Sequence, residues 1–255
     1  MEKKDMPNVA LVQGASRGLG LAFVKRLVEQ GEYSTVIATC RSPESASELQ
    51  KLVGSHTSRL LLLKLDVTDT ASAQATASRI AADGITLDLL INCAGVLHSP
   101  EGLQPEKRLQ DVSIEHLEQY FRINAIGPLI VAKYLAPLMA RRSRAVIANL
   151  SARVGSIGDN RLGGWYGYRA SKSAQNMITK TLAIELKRAN SQMICVGLHP
   201  GTVATQLSAP FSSRVNPKKL FSPEEAASKL LAVVEKLTPE ETGKVFAYDG
   251  TEIPW

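Results

Sequence analysis

Short runs of aliphatic and β-branched residues alternate with stretches of helical periodicity along the 255-residue chain, and this alternation limits the possible folds more than any other feature. Seven runs are short and apolar enough to be buried strands: Val9–Gln13, Thr35–Thr39, Arg59–Leu65, Leu87–Asn92, Ala145–Leu150, Met193–Leu198 and Lys244–Tyr248. Most intervals between them show helical spacing: Leu19–Glu29, Pro43–Leu52, Thr70–Ala82, Ile114–Leu138, Tyr168–Arg188 and Pro223–Lys236 after an N-cap at Ser222. The alternation predicts an α/β fold with a doubly wound, seven-stranded parallel sheet and helices on both faces.

The composition suits one globular domain over residues 1–255, with 44% hydrophobic and 21% charged residues. The three cysteines show no metal-ligand spacing, and their apolar surroundings predict buried free thiols in a reducing, cytoplasmic setting: Cys40, Cys93 and Cys195. The histidines form no ligand pattern either, so no metal site is expected. The first residues are polar and no apolar stretch reaches about 18 residues, which predicts that the chain has no membrane segment.

The net charge of +6 permits binding to polyanions, but the basic residues are scattered along the sequence. Their densest group, Arg141–Arg144, falls between a predicted helix and a predicted strand, where a solvated turn is the simpler interpretation. We therefore do not expect nucleic-acid binding. A positive surface would instead help to attract a phosphorylated cofactor.

A glycine-rich segment follows the first predicted strand and opens the first helix. Glycines at such a turn allow close approach of a pyrophosphate, and the helix N-terminus favours its negative charge. The spacing is Gly-x-x-x-Gly-x-Gly, and the alternative is a tight turn without a ligand. The candidate cofactor-binding residues of this loop are Gly14, Ser16, Arg17, Gly18, Leu19 and Gly20.

The end of the second predicted strand bears on the choice between NAD(H) and NADP(H). Many NAD sites place a carboxylate about 20 residues after the glycine loop, on the ribose hydroxyl. Here the strand ends without a carboxylate and continues into Arg41, while Arg17 projects from the glycine loop. Two arginines would pair with a 2′-phosphate, so the sequence favours NADP(H), unless both side chains are simply solvated.

Tyr168 and Lys172 are four residues apart in a predicted helix, which puts both side chains on one face. An ammonium group beside a phenol favours the phenolate, so we expect the pKa of Tyr168 to be lowered from its reference of about 10. Such a tyrosine can protonate a carbonyl oxygen near neutral pH. The alternative is a surface tyrosine beside a solvated lysine.

Taken together, the motifs resemble the short-chain dehydrogenase/reductase family over essentially the whole chain. The segments that carry the resemblance are Gly14-x-x-x-Gly18-x-Gly20, Asp66-Val67, Asn92-Cys93-Ala94-Gly95, Asn124, Tyr168-x-x-x-Lys172 and Pro200–Thr205. Residues 155–168 and the ending 249–255 are similar to one subgroup, which holds the sniffer-type carbonyl reductases and the C-factor-like proteins. The resemblance implies a Rossmann-type sheet.

The resemblance also implies roles for single residues. Asp66 and the Val67 backbone would bind adenine, and Asn92, Ala94 and Gly95 would line the adenosine ribose. Asn124 would bend its helix and hold a water in a proton relay to Lys172, which would also bind the nicotinamide ribose. The turn after the sixth strand would hold the nicotinamide carboxamide, through residues that include Pro200, Gly201, Val203 and Thr205.

One position departs from the family pattern. The family places a serine, which orients the substrate carbonyl, three residues before the glycine that follows the fifth strand. Counting back from Gly155 gives Ala152. We therefore expect a one-residue shift that places Ser151 in the serine role, with Ser156 as a second nearby hydroxyl; the alternative is that Ala152 occupies the position and no hydroxyl replaces the serine.

The resemblance implies an NADPH-dependent carbonyl reductase in which Tyr168 is the proton donor. A signalling or sensor protein of the C-factor type, which binds a dinucleotide but has little turnover, is the alternative. The predicted partner is a small carbonyl compound, and the resemblance implies a homodimer or homotetramer formed through the helices of Asn124 and Tyr168. Apolar residues of the loops suggest an apolar substrate: Leu97, Leu103, Leu207, Phe211 and Val215.

Overall fold

The computed structural model describes residues 8–212 and 216–255, so Val215 and the polar start of the chain lie outside the described residues. The described residues form nine strands. The first six are β1 (Val9–Gln13), β2 (Thr35–Cys40), β3 (Leu60–Lys64), β4 (Leu89–Asn92), β5 (Ala145–Leu150) and β6 (Met193–His199). The last three are β7 (Thr202–Val203), β8 (Leu220–Phe221) and β9 (Val245–Ala247).

In the described part of the chain, seven α-helices lie between the strands. They are α1 (Gly18–Gln30), α2 (Ser47–Ser55), α3 (Thr70–Ala82), α4 (Ile114–Phe121), α5 (Gly127–Leu135), α6 (Tyr166–Ala189) and α7 (Pro223–Lys236). The Ser222 hydroxyl accepts from the Glu225 N–H and caps α7, as expected. Pro43–Leu52 is not one helix, because a 3₁₀ turn at Pro43–Ser45 precedes α2.

Seven strands form one parallel sheet in the order β3-β2-β1-β4-β5-β6-β9. The order reverses beside β1, whose neighbours are β2 and β4. The doubly wound parallel sheet expected from the sequence is thus confirmed, and such sheets bind ligands where the strand order reverses. The pairing of β7 with β8 was not expected and lies in the loop region that follows β6.

Alternate residues of the strands supply two hydrophobic cores, one on each face of the sheet. Ala10 and Val12 of β1 pack in the core that also holds apolar residues of α1 and α7. Val9 and Leu11 pack in the other core, with residues of α3, α5 and α6. Because both faces are covered, the strands are apolar at nearly every position rather than at every second one.

The last residues of the chain cover the outer edge of β9. Glu252 forms an antiparallel bridge with Phe246. The Ile253 N–H donates to the Val245 carbonyl oxygen, and the Ala247 N–H donates to the Thr251 carbonyl oxygen, each across 2.8 Å. None of the helices among residues 8–212 and 216–255 has the length and apolar character required to cross a lipid bilayer.

Candidate active site

The turn between β1 and α1 has the shape of a phosphate cradle. Gly14 has φ 82°, and a Cβ there would lie 2.6 Å from the Ala94 nitrogen, so only glycine fits. A Cβ on Gly20 would collide with the Gly14 carbonyl oxygen. No side chain caps the N-terminus of α1, and its first turn holds no acidic residue. The first N–H groups of α1 therefore fit an anionic group such as a pyrophosphate.

Two buried polar atoms near the switch point lack a partner among the described residues. They are Oγ1 of Thr39, at the end of β2, and Oδ1 of Asn92, at the end of β4. Nδ2 of Asn92 donates to Oδ1 of Asn149 across 2.7 Å, which fixes the side chain and leaves its oxygen free. Buried acceptors of this kind suit ligand hydroxyl groups, so the residues present fit a dinucleotide.

The two predicted phosphate arginines are both exposed but differ in their contacts. Nη1 of Arg17 donates to Oε1 of Gln206 across 2.7 Å. Arg41 has no hydrogen bond with any described residue. Arg41 is therefore the arginine whose guanidinium is available to a further anion.

Asp66 and Val67 follow β3, at the rim of the predicted adenine site. Oδ1 of Asp66 accepts from the Thr68 N–H and hydroxyl at 2.9 and 2.8 Å, and no described group bonds its second carboxylate oxygen. Val67 is buried, and a Cβ on Gly127 would lie only 3.0 Å from the Val67 side chain. The carboxylate is thus fixed in orientation while one oxygen remains able to accept.

Lys172 lies on α6, and its side chain is only 4% exposed. Nζ donates to the Leu150 carbonyl oxygen at 2.7 Å and to Oε1 of Gln175 at 3.0 Å. Burial lowers the pKa of Lys172 to about 8, while nearby Cys93 acts in the opposite direction. A desolvated ammonium of this kind is a pKa perturbation typical of functional sites.

Asn124 occupies a π-helical turn, Arg122–Ile126, between α4 and α5. Such turns interrupt α-helices most often at functional sites. Oδ1 accepts from the Val96 N–H at 2.8 Å, and Nδ2 donates to the Val96 carbonyl oxygen and to Oγ of Ser171 at 3.0 and 3.1 Å. A Cβ on Gly95 would lie 3.4 Å from Oδ1 of Asn124 and 3.8 Å from Nζ of Lys172. The structure thus brings Gly95, Asn124 and Lys172 together.

Tyr168 and Lys172 share one face of α6, as the spacing predicts. Nζ of Lys172 is 6.0 Å from the centroid of the phenol ring, and no described residue bonds the phenol oxygen. The expected fall in the pKa of Tyr168 is wrong for this arrangement, because burial raises it to about 12. Desolvation dominates since the ammonium is bound to Leu150 and Gln175 and is itself buried.

The expected shift that would place Ser151 in the serine role is also wrong. Oγ of Ser151 donates to Oδ1 of Asn176 across 2.6 Å, inside the protein. Ala152 instead packs on the apolar cluster that contains Tyr168. Ser156 is buried, and its hydroxyl oxygen accepts from the Asp159 N–H. Ala152 follows β5 with an extended backbone, in which neighbouring side chains face opposite ways, and this explains why Ala152 rather than Ser151 faces that cluster.

The turn after β6 lies against the glycine loop. Gly201 has φ 75°, and Val203 belongs to the short strand β7. A Cβ on Gly18 would come within 3.3 Å of Cγ2 of Thr205, so this turn packs directly against the glycine loop. Pro200 begins the turn.

Comparison with known proteins agrees with this geometry. Residues 8–216 match the family model described as short chain dehydrogenase, which is most of the chain. The chain belongs to the short-chain dehydrogenase family. A carbonyl reductase from chicken fatty liver with bound NADPH superposes on this short-chain dehydrogenase with a TM-score of 0.86 and 30% identity, covering 98% of this chain and 94% of that one.

The subgroup expected from the sequence is supported as well. The carbonyl reductase Sniffer of Drosophila melanogaster has a TM-score of 0.85 and 29% identity, over 98% of this short-chain dehydrogenase and all of that chain. The C-signal protein of Myxococcus xanthus is 35% identical over 169 residues, which are 66% of this chain and 93% of that protein. These relatives place the protein among oxidoreductases of the carbonyl reductase type.

Four residues around the site were not singled out from the sequence. Gln175 binds Lys172, and Tyr120 packs edge-on against Tyr168 at 6.1 Å between ring centroids. Glu106 and Trp165 shape the start of α6. Gln175 stands three residues after Lys172 on the helix, which is a usable sequence signal. Glu106 contacts α6 from 61 residues away, and no local pattern reveals that.

Proposed function

We propose that the protein is an NADPH-dependent oxidoreductase that reduces an aldehyde, ketone or quinone carbonyl to an alcohol, with Tyr168 as the proton donor. The observation that carries the proposal is the junction at Gly95, where Asn124 and Lys172 meet. A reduced nicotinamide dinucleotide, when bound, supplies the hydride for this chemistry. The protein supplies position, charge and a proton.

The proton comes from Tyr168. Its raised pKa keeps the phenol protonated at neutral pH, which is the form required to donate to a carbonyl oxygen. As the proton leaves, the nearby positive charge of Lys172 stabilises the phenolate that forms. This attraction is stronger in a site that excludes water than in bulk water. Asn124 holds Val96 and Ser171 in place beside these two side chains.

The preference for NADP(H) rests on Arg41. Its guanidinium follows the end of β2 and has no hydrogen-bond partner among the described residues, whereas Arg17 is bound to Gln206. A free guanidinium complements a ribose 2′-phosphate through charged hydrogen bonds. The NADPH in the related chicken carbonyl reductase supports the same choice.

The substrate is a small, mainly apolar carbonyl compound. Tyr168 belongs to an apolar cluster whose other members include Leu97 and Leu103 from the loop after β4, and Trp165 and Phe211. Trp165 and Phe211 stand edge to face at 5.2 Å between ring centroids. An aromatic wall of this kind favours a planar or apolar group next to the reacting carbonyl.

The protein assembles as a homodimer or homotetramer through the helices that carry Asn124 and Tyr168. Exposed apolar side chains on these helices support this arrangement: Ile126 at 48%, Leu129 at 38%, Met177 at 66% and Ile184 at 53%. Leu182 of α6, by contrast, packs on the core of its own protomer. The segment that covers β9 blocks assembly by strand pairing at that edge, which favours a dimer.

The deciding experiment measures NADPH oxidation in the steady state with a panel of aldehydes, ketones and quinones. We expect turnover with at least one class and its loss in Tyr168→Phe, by about 10²–10⁴-fold, with the cofactor dissociation constant nearly unchanged. A Tyr168→Phe variant that kept more than about a tenth of the wild-type kcat would contradict the assignment. Tight cofactor binding without turnover on any carbonyl would support the signalling alternative. The alanine at position 152, where the family has a serine, is the reason for considering that alternative.

A further inference from the structure

Trp165 has an unusual backbone conformation. It is the one non-glycine residue with positive φ, 55°, in the described part of the chain. It follows Gly163 and Gly164, which have φ values of 64° and 63°. Glycine adopts this left-handed region freely, but a bulky aromatic residue does so at a cost. Such strain persists where the surroundings enforce it, and it is concentrated at functional sites.

Glu106 enforces the conformation. Its carbonyl oxygen accepts from the Trp165 N–H at 2.5 Å, and its two carboxylate oxygens accept from the Gly167 N–H at 3.2 and 3.1 Å. Glu106 is only 2% exposed, so a buried carboxylate is committed to this turn. These hydrogen bonds place the Trp165 indole edge to face against Tyr168, at 6.1 Å between ring centroids, and against Phe211.

Three side-chain hydroxyl groups in this region are already engaged as donors. Ser151 donates to Asn176, Tyr120 donates to the Leu97 carbonyl oxygen at 2.7 Å, and Ser171 donates to the carbonyl oxygen of Tyr168 at 2.8 Å. Ala152, which packs on the apolar cluster that contains Tyr168, has no side-chain donor. Catalysis of carbonyl reduction gains from a second donor at the oxygen, where negative charge develops.

The indole N–H of Trp165 is a donor that is still available in this cluster. No described residue accepts a hydrogen bond from it, and it is not one of the fully buried polar atoms. An indole N–H can donate but not accept, so it suits a ligand oxygen and has no competing use as an acceptor. The available donor and the missing hydroxyl thus belong to the same apolar cluster.

We propose that Trp165 donates a hydrogen bond to the carbonyl oxygen of the substrate, in the place that the hydroxyl absent at Ala152 would have served. The inference rests on the proposed reductase function. As the carbonyl carbon is reduced, the electron pair of the C=O π bond moves to the oxygen, which takes the proton of Tyr168. The indole keeps its own proton throughout and stabilises the developing charge.

Steady-state kinetics test the role with Trp165→Phe, which removes the N–H and keeps an aromatic ring at the same strained position. We expect kcat to fall by about 10²-fold, the scale of one lost transition-state donor, with a KM change that is much smaller. Adding Ala152→Ser to Trp165→Phe should restore most of kcat. The second tryptophan gives the matched control, since Trp255→Phe should leave kcat unchanged. A Trp165→Phe enzyme with wild-type kcat overturns the proposal, and so does a loss that Ala152→Ser does not restore.

A binding measurement separates this role from the reductase function itself. The chain has two tryptophans, so ¹⁵N–¹H spectra contain two indole resonances, and Trp255→Phe identifies the one from Trp165. We expect NADP⁺ with 4-nitrobenzaldehyde, a pair that cannot react, to move the Trp165 resonance downfield and to leave that of Trp255 in place. If the protein reduced no carbonyl but still showed this shift, the reductase function would be refuted and the donor role of Trp165 would be supported. No shift overturns the donor, whatever the turnover.

Discussion

Ser151 donates its hydroxyl proton to Oδ1 of Asn176 across 2.6 Å, and this bond turns the serine away from Tyr168 and into helix α6. We therefore expect Ser151→Ala to leave kcat/KM for carbonyl reduction within about twofold of the wild-type value. The same change should lower the free energy of unfolding by about 1–3 kcal/mol, because a buried amide oxygen loses its donor. Urea unfolding and initial rates measure the two effects. If Ser151→Ala lost turnover without losing stability, Ser151 would be the residue that acts on the substrate carbonyl.

Ala152→Ser is the complementary change, at the position that does pack beside Tyr168. A hydroxyl there supplies a further donor to the substrate oxygen, so we expect kcat to rise. The gain should be about tenfold, less than the 10²–10³ of an essential donor, because Trp165 already acts on the same oxygen. Initial rates with saturating NADPH provide the measurement. A variant with lower kcat and unchanged stability would show that the pocket has no room for the hydroxyl.

Lys172→Met should abolish turnover, weaken cofactor binding and change the pH dependence of stability. The folded protein lowers the pKa of Lys172 from 10.5 to about 8, so folding disfavours the charged form. The wild type should therefore gain stability relative to the variant as pH rises from about 8 to 10.5, by about 3 kcal/mol in total. Urea unfolding of both proteins at several pH values gives the difference. Parallel curves would mean that the ammonium is not desolvated.

Arg41→Asp should reverse the cofactor preference. A carboxylate repels a 2′-phosphate and accepts from a ribose hydroxyl, so NADPH should bind more weakly by about 2–3 kcal/mol while NADH improves. Fluorescence titration gives both dissociation constants. Arg26→Asp, on the exposed side of α1, makes the same charge change and serves as the control. Equal effects of the two substitutions would show that only net charge matters.

Met177→Glu should convert the expected dimer to a monomer. Met177 is 66% exposed on α6, and a charge at a two-fold interface meets its own copy or an apolar surface. Light scattering should then give a mass of about 27.5 kDa. Leu162→Glu, which alters a residue that is 90% exposed and precedes α6, should leave the mass unchanged. A wild-type protein that is already monomeric at micromolar concentration would refute the dimer.

Most of the sheet could be predicted because each strand carries its own local pattern. Val9–Gln13 and Ala145–Leu150 match the expected bounds, since both are apolar runs buried on two faces. The two-residue strands β7 and β8 could not be predicted, because they pair across a long loop and are too short to show periodicity. The break in Pro43–Leu52 arises where Ala46 leaves helical geometry, with ψ 63°.

The sequence predicted which side chains come together at the site, but it did not predict the direction in which the pKa of Tyr168 shifts. The spacing of Tyr168 and Lys172 correctly put both on one face of α6, yet it does not show what else the ammonium binds. The Leu150 carbonyl oxygen comes from a strand 22 residues away, and burial of both groups depends on the whole loop region. The end of β5 at Leu150 was predicted correctly, but the choice between Ser151 and Ala152 depends on Asn176, which lies 25 residues further along on α6 and binds Ser151.

The backbone pairing of Thr251 and Ile253 with β9 bears on how this protein would misfold. Unpaired edges of parallel sheets are templates on which a second chain can add a strand, and this addition is the first step toward cross-β aggregates. In this protein residues 251–253 pair with β9 at one edge of the sheet, and β3 forms the other edge. Heating that frees residues 251–253 before the core melts would therefore expose a row of unpaired amides on β9, so the irreversible step of thermal inactivation would begin at this edge.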